Sequence, residues 1–277
     1  MTSQLSISDL EDKARWVRLQ SLEATVRAGK GHLGGTYSCT DLLVALYYAD
    51  ILGLDPASPD DPGRDRFLIG KGHACLALYS IFKDKGMISQ EIFEEFGISG
   101  GALGGQLDTS TPGVEYNTGS LGHVLGIGAG IALAARMDRA AFKAFVVMGD
   151  AECYEGSIWE AIVFAGDQQL SGLVGIIDRN RLSVTDVLED DTFFNEFPNK
   201  VRSFGWDCIE INGHDFGEIL AAFESAKQLD KPVMILANTI KGKGVSFMEG
   251  GVKWHHSVPN GEELDLARIE LSPGTAG

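Results

Sequence analysis

The segment from residue 144 to residue 182 constrains the fold of this chain more than any other part of the sequence. Phe145–Met148 are four consecutive apolar residues without polar alternation, which is typical of a strand buried on both faces of a parallel sheet. Leu173–Ile177 repeats the pattern, interrupted only by Gly175. The residues between the two runs carry apolar side chains at roughly helical spacing, namely Ile158, Trp159, Ile162, Val163 and Leu170. The segment therefore predicts a strand–helix–strand crossover, the unit of a doubly wound α/β fold with a mostly parallel sheet flanked by helices.

Each of the two predicted strands is followed by a side chain that carries oxygen. Asp150 follows the first strand and Asn180 follows the second, at the edge where open α/β sheets bind ligands. Carboxylate and amide oxygens suit Mg²⁺ or Ca²⁺ better than zinc or copper, and phosphate oxygens commonly complete a Mg²⁺ site. Gly149 permits close backbone approach, and the amides after Asp150 lead towards a helix N-terminus, which favours an anion. These residues predict a metal–diphosphate site; the alternative is that Asp150 caps a loop and Asn180 only forms a turn.

The same residues resemble a known family. The string Gly149-Asp150-Ala151-Glu152, followed by Asn180, is similar to the Gly-Asp-Gly…Asn motif of thiamine diphosphate enzymes. Residues 155–161, which read Glu-Gly-Ser-Ile-Trp-Glu-Ala, resemble the transketolase branch of these enzymes. Other matching segments follow in family order over nearly the whole chain, so the resemblance is to the N-terminal, diphosphate-binding half of a transketolase.

The resemblance implies a site that binds thiamine diphosphate and Mg²⁺ or Ca²⁺. Asp150, Asn180 and the main-chain carbonyl of Leu182 would hold the metal. Gly149, Ala151 and Glu152 would lie beside the diphosphate, together with Asp150, Asn180 and Leu182. Ala151 stands where the family usually has a second glycine, and a positive φ at an alanine would be costly.

Three histidines fit the substrate channel that the resemblance implies. His32 lies in the Gly-His-Leu-Gly-Gly string of residues 31–35, similar to the family's Gly-His-Pro-Gly loop. His73 follows a predicted strand and would contact both diphosphate and substrate. His255 is preferred over the adjacent His256 as the channel histidine of the C-terminal segment. Without the resemblance, these histidines would be interpreted as a turn residue, a helix cap and exposed tail residues.

The glycine-rich segment of residues 97–113 predicts an irregular loop, and loops of this length are often functional. Aligned on Pro-Gly-Val-Glu at residues 112–115, Gly105 stands where the family carries a channel histidine. Residues 117–122 resemble the family's cofactor loop, so that Gly119 and Leu121 would lie against the cofactor. His123 and Val124 depart from the glutamine and glycine that are usual there.

Composition limits the partners. A formal net charge of −16 over 277 residues argues against nucleic acid, whose phosphates need basic surfaces. The sequence has no apolar run of membrane-spanning length and no secretory signal, so we expect a cytoplasmic protein that does not insert into a membrane. The four scattered cysteines, Cys39, Cys75, Cys153 and Cys208, are expected to be buried free thiols.

The remaining pattern predicts a single domain over residues 1–277, with a helix within residues 1–30 and a tail at 257–277. A Ser-Asp-Leu-Glu capping box starts the first helix at residue 8. Further helices are predicted at 40–52, 76–83, 124–137 and 216–229, further strands at 65–70, 204–211 and 233–238, and a loop at 179–195. Residues from 266 onward show no strong pattern.

The function that the resemblance implies is transfer of a two-carbon ketol unit from a ketose donor to an aldehyde acceptor. The pyrimidine-binding half of the enzyme would come from a separate chain, in an assembly expected to be α₂β₂, and the substrates would be sugars or sugar phosphates. Three alternatives remain open: another thiamine diphosphate reaction of the deoxyxylulose-phosphate-synthase or E1 type, a non-catalytic scaffold role, and a specialised transketolase with a non-standard acceptor.

Overall fold

A computed structural model describes residues 5–183 and 192–272 of the chain. The strands are β1 (Arg66–Ile69), β2 (Ala144–Gly149), β3 (Leu173–Arg179), β4 (Asp207–Asn212) and β5 (Val233–Asn238). They form one parallel sheet in the order β1-β2-β3-β5-β4. The helices are α1 (Ile7–Ala28), α2 (Leu33–Tyr48), α3 (Cys75–Asp84), α4 (Gln90–Glu94), α5 (Val124–Asp138), α6 (Gly156–Asp167), α7 (Thr192–Asn195), α8 (Phe197–Ser203), α9 (Phe216–Gln228) and α10 (Glu262–Leu271). The predicted α/β fold with a mostly parallel sheet flanked by helices is confirmed.

The central strands are apolar because helices cover both faces of the sheet. Every residue of β3 is buried, and β2 is buried except at its last residue. One core packs β1, β2, β3 and β5 against α1, α2, α3 and α9, and a second packs the opposite face against α5, α6 and α8. The edge strand β4 instead alternates between buried and more exposed residues. The sheet therefore holds its carboxyl edge in a fixed position between two cores.

The register of β2 and β3 brings the predicted site residues to one edge. Gly149 pairs with Asp178 at the ends of these strands. One residue further on, the main-chain amide of Asp150 donates to the carbonyl oxygen of Asp178 over 3.3 Å. The predicted strand–helix–strand crossover therefore places the residues after β2 directly beside those after β3.

The predicted start of the first helix is wrong by two residues. Ser6 is the N-cap of α1: its Oγ accepts from the amide of Asp9, and Oδ2 of Asp9 accepts from the amide of Ser6 over 2.9 Å. An aspartate occupies the position where a capping box usually has glutamate or glutamine. The Ser-Asp-Leu-Glu string at residue 8 lies inside the first turn and does not cap the helix.

The prediction of a tight loop through residues 31–35 and a helix over 40–52 is also wrong, because α2 begins at Leu33 and ends at Tyr48. The glycines here serve close packing instead of loop flexibility. A Cβ atom on Gly34 would lie 2.9 Å from the carbonyl oxygen of Trp254, and one on Gly35 would lie 3.2 Å from Nε2 of His73. Small residues at the start of α2 thus allow two later segments to approach it.

Other predicted bounds differ at the ends of elements. The strand predicted at 204–211 begins at Asp207, since Gly205 has φ +89° and turns the chain. The loop predicted at 179–195 contains the end of β3 and helix α7, while residues 184–191 lie outside the described part of the chain. The predictions for residues 97–113, 216–229 and 233–238 agree with the structure to within one residue.

The C-terminal residues form a helix that the sequence pattern did not indicate. In α10, Ala267 and Leu271 are buried in a third, smaller core with Leu22 of α1. Arg268 donates from Nε and Nη2 to both carboxylate oxygens of Glu23, each over 2.8 Å. This bidentate contact holds α10, at the end of the described chain, against α1.

All four cysteines are free and buried, as predicted. Among the described residues, no helix has the length and apolarity that crossing a bilayer requires.

The packing of α6 gives a stability test. A Cβ atom on Gly166 would lie 1.7 Å from the carbonyl oxygen of Phe204. Gly166→Ala should therefore lower the free energy of unfolding by about 1–3 kcal/mol, as overpacking does, although alanine favours helices. Gly130 of α5 has no neighbour within 4 Å of its Cβ position, so Gly130→Ala should raise stability by about 0.5–1 kcal/mol. Urea unfolding of both variants checks the pair, and equal effects would contradict the packing argument.

Candidate active site

A cleft lies at the carboxyl edge of the sheet, above the ends of β2 and β3. Nearly all of the residues predicted for the cofactor, and two of the three predicted histidines, contribute to its walls. The lining residues are Gly35, Lys71, His73, Leu121, Gly149, Asp150, Ala151, Glu152, Asn180, Leu182, Ser183, Lys241 and His255. The structure thus brings together in one cleft residues that are far apart in the sequence.

Asp150 is bound directly to the turn that follows β3. Its carboxylate accepts from the amide of Ala151 over 2.8 Å and from the amide of Arg181 over 2.6 Å. Within the turn, Oδ1 of Asn180 accepts from the amide of Leu182 over 3.2 Å. Arg181 has φ +63°, a conformation that costs a non-glycine residue some energy and is often found at functional sites. The three residues predicted to hold a metal therefore belong to one hydrogen-bonded unit.

The predicted difficulty at Ala151 does not arise. Its φ is not positive, because the chain after Asp150 enters a short 3₁₀ helix at Ala151–Tyr154. An alanine adopts this conformation without strain, so the replacement of glycine leaves the local backbone unstrained.

Glu152 holds the loop of residues 119–122 against the end of β2. It is buried, and its carboxylate accepts from the amide of Gly122 over 2.9 Å and from that of Gly149 over 3.2 Å. Gly119 in this loop has φ +120° with no atom within 4 Å of its Cβ position, and Leu121 is 39% exposed at the cleft. Glu152 therefore positions the loop that carries the two predicted cofactor contacts.

A buried ion pair lies beneath the cleft. Lys71, which follows β1, donates from Nζ to Oδ2 of Asp178 in β3, and both side chains are almost fully buried. Asp178 also accepts from Oγ of Ser38 over 2.6 Å and from Oγ1 of Thr239. Burial alone would raise the pKa of Asp178, but Lys71 and these hydrogen bonds hold it below its ordinary value. Asp178 is therefore an anion whose charge is already balanced.

Asp150 has no such direct ion-pair partner among the described residues, and it is 1% exposed. Burial, with the nearby Asp178 carboxylate, raises its pKa to about 6, and the charge of Lys71 is only a small cause that lowers this pKa. A buried carboxylate without a counter-charge is costly, and a bound cation would remove that cost. The donor set around it, one carboxylate with amide and carbonyl oxygens, fits a hard divalent cation. No group of three or more His, Cys, Asp or Glu side chains suited to a metal occurs in residues 5–183 and 192–272.

Lys241 supplies positive charge at the opposite wall of the cleft. Its Nζ donates to the carbonyl oxygen of Ser183 over 2.9 Å, and the side chain is buried. Burial, reinforced by the charge of Lys71, lowers the pKa of Lys241 to about 8. The two lysines make this part of the cleft suitable for an anionic group despite the acidic net charge of the protein.

The three predicted histidines form one cluster. The ring centroid of His32 lies 5.2 Å from that of His73 and 5.5 Å from that of His255, and the last two are 5.4 Å apart. Burial is the main cause that lowers their pKa values, to about 4 for His32, about 2 for His73 and about 4 for His255. All three are uncharged at neutral pH. Nδ1 of His255 is buried and has no hydrogen-bond partner among the described residues.

The two adjacent histidines near the C-terminus face different spaces. His255 lines the cleft with Asp150, whereas His256 packs 4.6 Å from His32 and lines a neighbouring cavity. The choice between them as the channel histidine stays a prediction: His255 shares its cleft with Asp150, whereas His256 shares its cavity with His32 and His73.

Sequence reasoning missed Lys71, Lys241 and Asp178. A signal existed for Asp178, because a carboxylate within an otherwise apolar, fully buried strand needs a partner. The partner, Lys71, lies 107 positions away in the sequence and follows a different strand. Its identity therefore depends on the strand order and could not be obtained from local pattern.

Comparison with known proteins agrees with this geometry. The family model described as "Transketolase, thiamine diphosphate binding domain" matches residues 10–274. The chain belongs to the transketolase family. It is 41% identical to a subunit of the apulose-4-phosphate transketolase of Phocaeicola vulgatus, with 97% of this chain and 95% of that protein covered. It is 38% identical to a 6-deoxy-6-sulfo-D-fructose transketolase subunit of a Clostridium species, with 95% and 96% covered.

Solved transketolase structures share the fold. The transketolase of Campylobacter jejuni superposes with a TM-score of 0.90 at 30% identity and covers 96% of this chain, but the match spans only 43% of that longer chain. This transketolase chain therefore corresponds to the thiamine diphosphate-binding part of such enzymes and to nearly the full length of the two relatives named as transketolase subunits. The predicted family, enzyme class and thiamine diphosphate-binding fold are confirmed.

The buried ion pair gives a second stability test. Lys71→Met should lower the free energy of unfolding by on the order of 3 kcal/mol, because the Asp178 carboxylate would remain buried without its counter-charge. The matched control is Lys253→Met, which removes an exposed pair with Glu263 and should cost less than about 1 kcal/mol. Denaturant unfolding measures both. The double variant Lys71→Met, Asp178→Asn should be more stable than Lys71→Met alone, because it no longer buries an unpaired charge. Equal stability of the two variants would contradict the argument that the unpaired Asp178 carboxylate causes the loss.

Proposed function

We propose that this chain is the cofactor-binding subunit of a two-component transketolase that uses thiamine diphosphate and Mg²⁺. The reaction is transfer of a two-carbon ketol unit from a ketose donor to an aldehyde acceptor. The observation that carries the proposal is the cleft itself: an unbalanced, buried Asp150 tied to the 180–182 turn faces a cluster of uncharged histidines.

The proposal assigns a role to each wall of the cleft. Asp150, Asn180 and the carbonyl of Leu182 would hold Mg²⁺, which neutralises diphosphate oxygens when bound. The end of β2 and the segment after β1 would border the diphosphate, through Gly149, Ala151, Glu152 and His73. The 119–122 loop would border the rest of the cofactor, through Gly119 and Leu121. The ordered amides and the fixed carboxylate need little rearrangement to receive the anion.

The histidines act on the substrate in this proposal. Thiamine diphosphate, when bound, supplies the carbanion chemistry of the reaction. His32, His73 and His255 are uncharged and mutually close, so each ring nitrogen can donate to or accept from a sugar hydroxyl. The unpartnered Nδ1 of His255 is the site at which a proton or hydroxyl would be held.

A separate subunit would complete the enzyme. The single-chain transketolases of rat and human match this chain over 40% of their length, and the Phocaeicola relative is named as one subunit of its transketolase. The rim of the cleft exposes large apolar side chains, including Leu121 and Tyr154, that a partner would cover. We place the pyrimidine-binding half on this partner, in an α₂β₂ assembly located in the cytoplasm.

The named relatives favour a specialised substrate over the common sugar phosphates. One is named for apulose-4-phosphate and another for 6-deoxy-6-sulfo-D-fructose. We therefore propose a sugar or sugar phosphate as substrate, from outside the standard set. An intact cleft with all proposed metal-binding residues in contact argues against a scaffold role.

Asp150 tests the metal site. In the complex with the partner subunit, Asp150→Asn should weaken Mg²⁺-dependent binding of thiamine diphosphate by about 100-fold or more, because the only carboxylate among the proposed ligands is lost. Calorimetry measures the affinity. The control, Asp138→Asn at the exposed end of α5, should bind as the unaltered chain does. Unchanged affinity in Asp150→Asn would refute the metal assignment.

A reconstitution experiment tests the division of labour and the reaction type. The purified chain should show only background turnover of hydroxypyruvate or ketose phosphates. Adding the partner subunit should raise turnover well above background, because the partner supplies the other half of the cofactor site. Full activity of the chain alone would contradict the two-component proposal. Activity of the complex with pyruvate but not with ketol donors would indicate a different thiamine diphosphate reaction.

A further inference from the structure

A second cavity opens from the histidine cluster, next to the cofactor cleft. It shares His73 with that cleft and is lined by Lys30, Gly31, His32, His73, Cys75, Leu76, Phe96, Gly104, Gly105, Gln106 and His256. Because the two spaces meet at His73, a molecule that reacts in the cleft can extend into this cavity. Among its lining residues, His32 and His73 alone have a role in the chemistry proposed above.

The inner end of this cavity is lined by two uncharged histidine rings, those of His32 and His73. His32 and His73 have pKa values of about 4 and about 2, far below neutrality, mainly because they are buried. At neutral pH their rings can exchange hydrogen bonds with hydroxyls but cannot pair with an anion. Lys30, whose stem packs over Gly97, places a cation on the cavity wall.

Gly105 leaves part of the wall open. A Cβ atom at this position would meet no heavy atom of the described residues within 4 Å, and its φ is not in the left-handed region. The backbone therefore does not require glycine there, and a larger side chain would extend into open space. The space that Gly105 leaves open can therefore be occupied by part of a bound ligand.

Gln106 is held beside this opening. The hydroxyl of the buried Tyr79 donates to the carbonyl oxygens of Gly104 and Gln106, each over 3.2 Å, which fixes the backbone of the segment. Oε1 of Gln106 lies 3.4 Å from Oγ1 of Thr118, whose hydroxyl donates over the shorter 2.9 Å to the carbonyl oxygen of Leu107. Oε1 also lies so close to Gly72 that a Cβ there would be 2.6 Å from it. The side chain of Gln106 is exposed and its Nε2 donates to no described residue, so Nε2 is available to a ligand.

We infer that Gln106 and Gly105 are specificity-determining residues for the sugar: Nε2 of Gln106 donates to a hydroxyl beyond the two transferred carbons, and the space at Gly105 admits a substituent on the sugar chain. The inference rests on the proposed transketolase function. It names Gln106, an exposed residue with an uncharged donor, in place of the channel histidine that the family resemblance implies at position 105.

The first test compares a long and a short acceptor in the two-subunit enzyme with hydroxypyruvate as donor. If the inference holds, glycolaldehyde is too short to contact Gln106, whereas an aldose phosphate of four or five carbons reaches it. Gln106→Ala should lower the ratio of kcat/KM for the aldose phosphate to that for glycolaldehyde by about 3- to 10-fold, as the loss of one neutral hydrogen bond does. Gln106→His, which restores an uncharged donor, should recover most of that ratio.

The matched control is Gln90→Ala. Gln90 bonds only Glu94 on the surface of α4, so its loss should leave the ratio unchanged. The size argument is tested with Gly105→Val, which should lower kcat/KM about 10-fold or more for an aldose phosphate with a branched chain relative to its unbranched counterpart. Far-ultraviolet circular dichroism and thiamine diphosphate affinity confirm that each variant is folded.

The outcomes separate this inference from the function on which it rests. If the unaltered complex fails to transfer a ketol unit even to glycolaldehyde, the proposed function is overturned, and the inference with it. If transfer occurs but Gln106→Ala affects both acceptors equally, or Gly105→Val does not distinguish branched from unbranched sugars, the inference alone is overturned.

Discussion

The balanced charge of Asp178 is the interaction on which the architecture of the site depends. Its carboxylate receives donors from three other parts of the fold: Ser38 of α2, Lys71 after β1 and Thr239 after β5. Each of these segments also contributes to the cofactor cleft or to the histidine cluster. A buried carboxylate must keep all its partners, because losing one leaves a desolvated charge. The position of the cleft walls is therefore set by an electrostatic requirement beneath them.

Two neighbouring carboxylates of the cleft differ in how their negative charge is balanced. Asp178 is neutralised from within by Lys71, whereas Asp150 accepts only main-chain amides and has its pKa raised to about 6. If Lys71 paired with Asp150 instead, the negative charge of the Asp150 carboxylate would already be balanced and would not attract a cation. Lys71 follows β1, the neighbour of β2, but its Nζ donates to Asp178 of β3, one strand further along the sheet.

Local sequence pattern predicted those features that depend on neighbouring residues. The unbroken apolar runs identified β2 and β3, and the polar residues at their ends identified Asp150 and Asn180. Local sequence pattern gave wrong or missing predictions where contacts between distant segments determine the structure. Gly34 and Gly35 suggest a loop in isolation, but in the structure they begin a helix and admit Trp254 and His73. Lys71 was missed because its partner is in another strand, and α10 because it depends on contact with α1.

The C-terminal helix has a consequence for how the site can move. Lys241 and His255 stand on residues 239–256, whose buried side chains Val245, Met248 and Trp254 belong to the small third core. That core is closed by α10 through Leu271 and by the fork of Arg268 on Glu23. Elements with few buried contacts open at lower free energy than a central sheet does. Fraying of α10 would therefore loosen the side of the cleft that carries Lys241 and His255, while the strand ends that carry Asp150 and Asn180 stay folded.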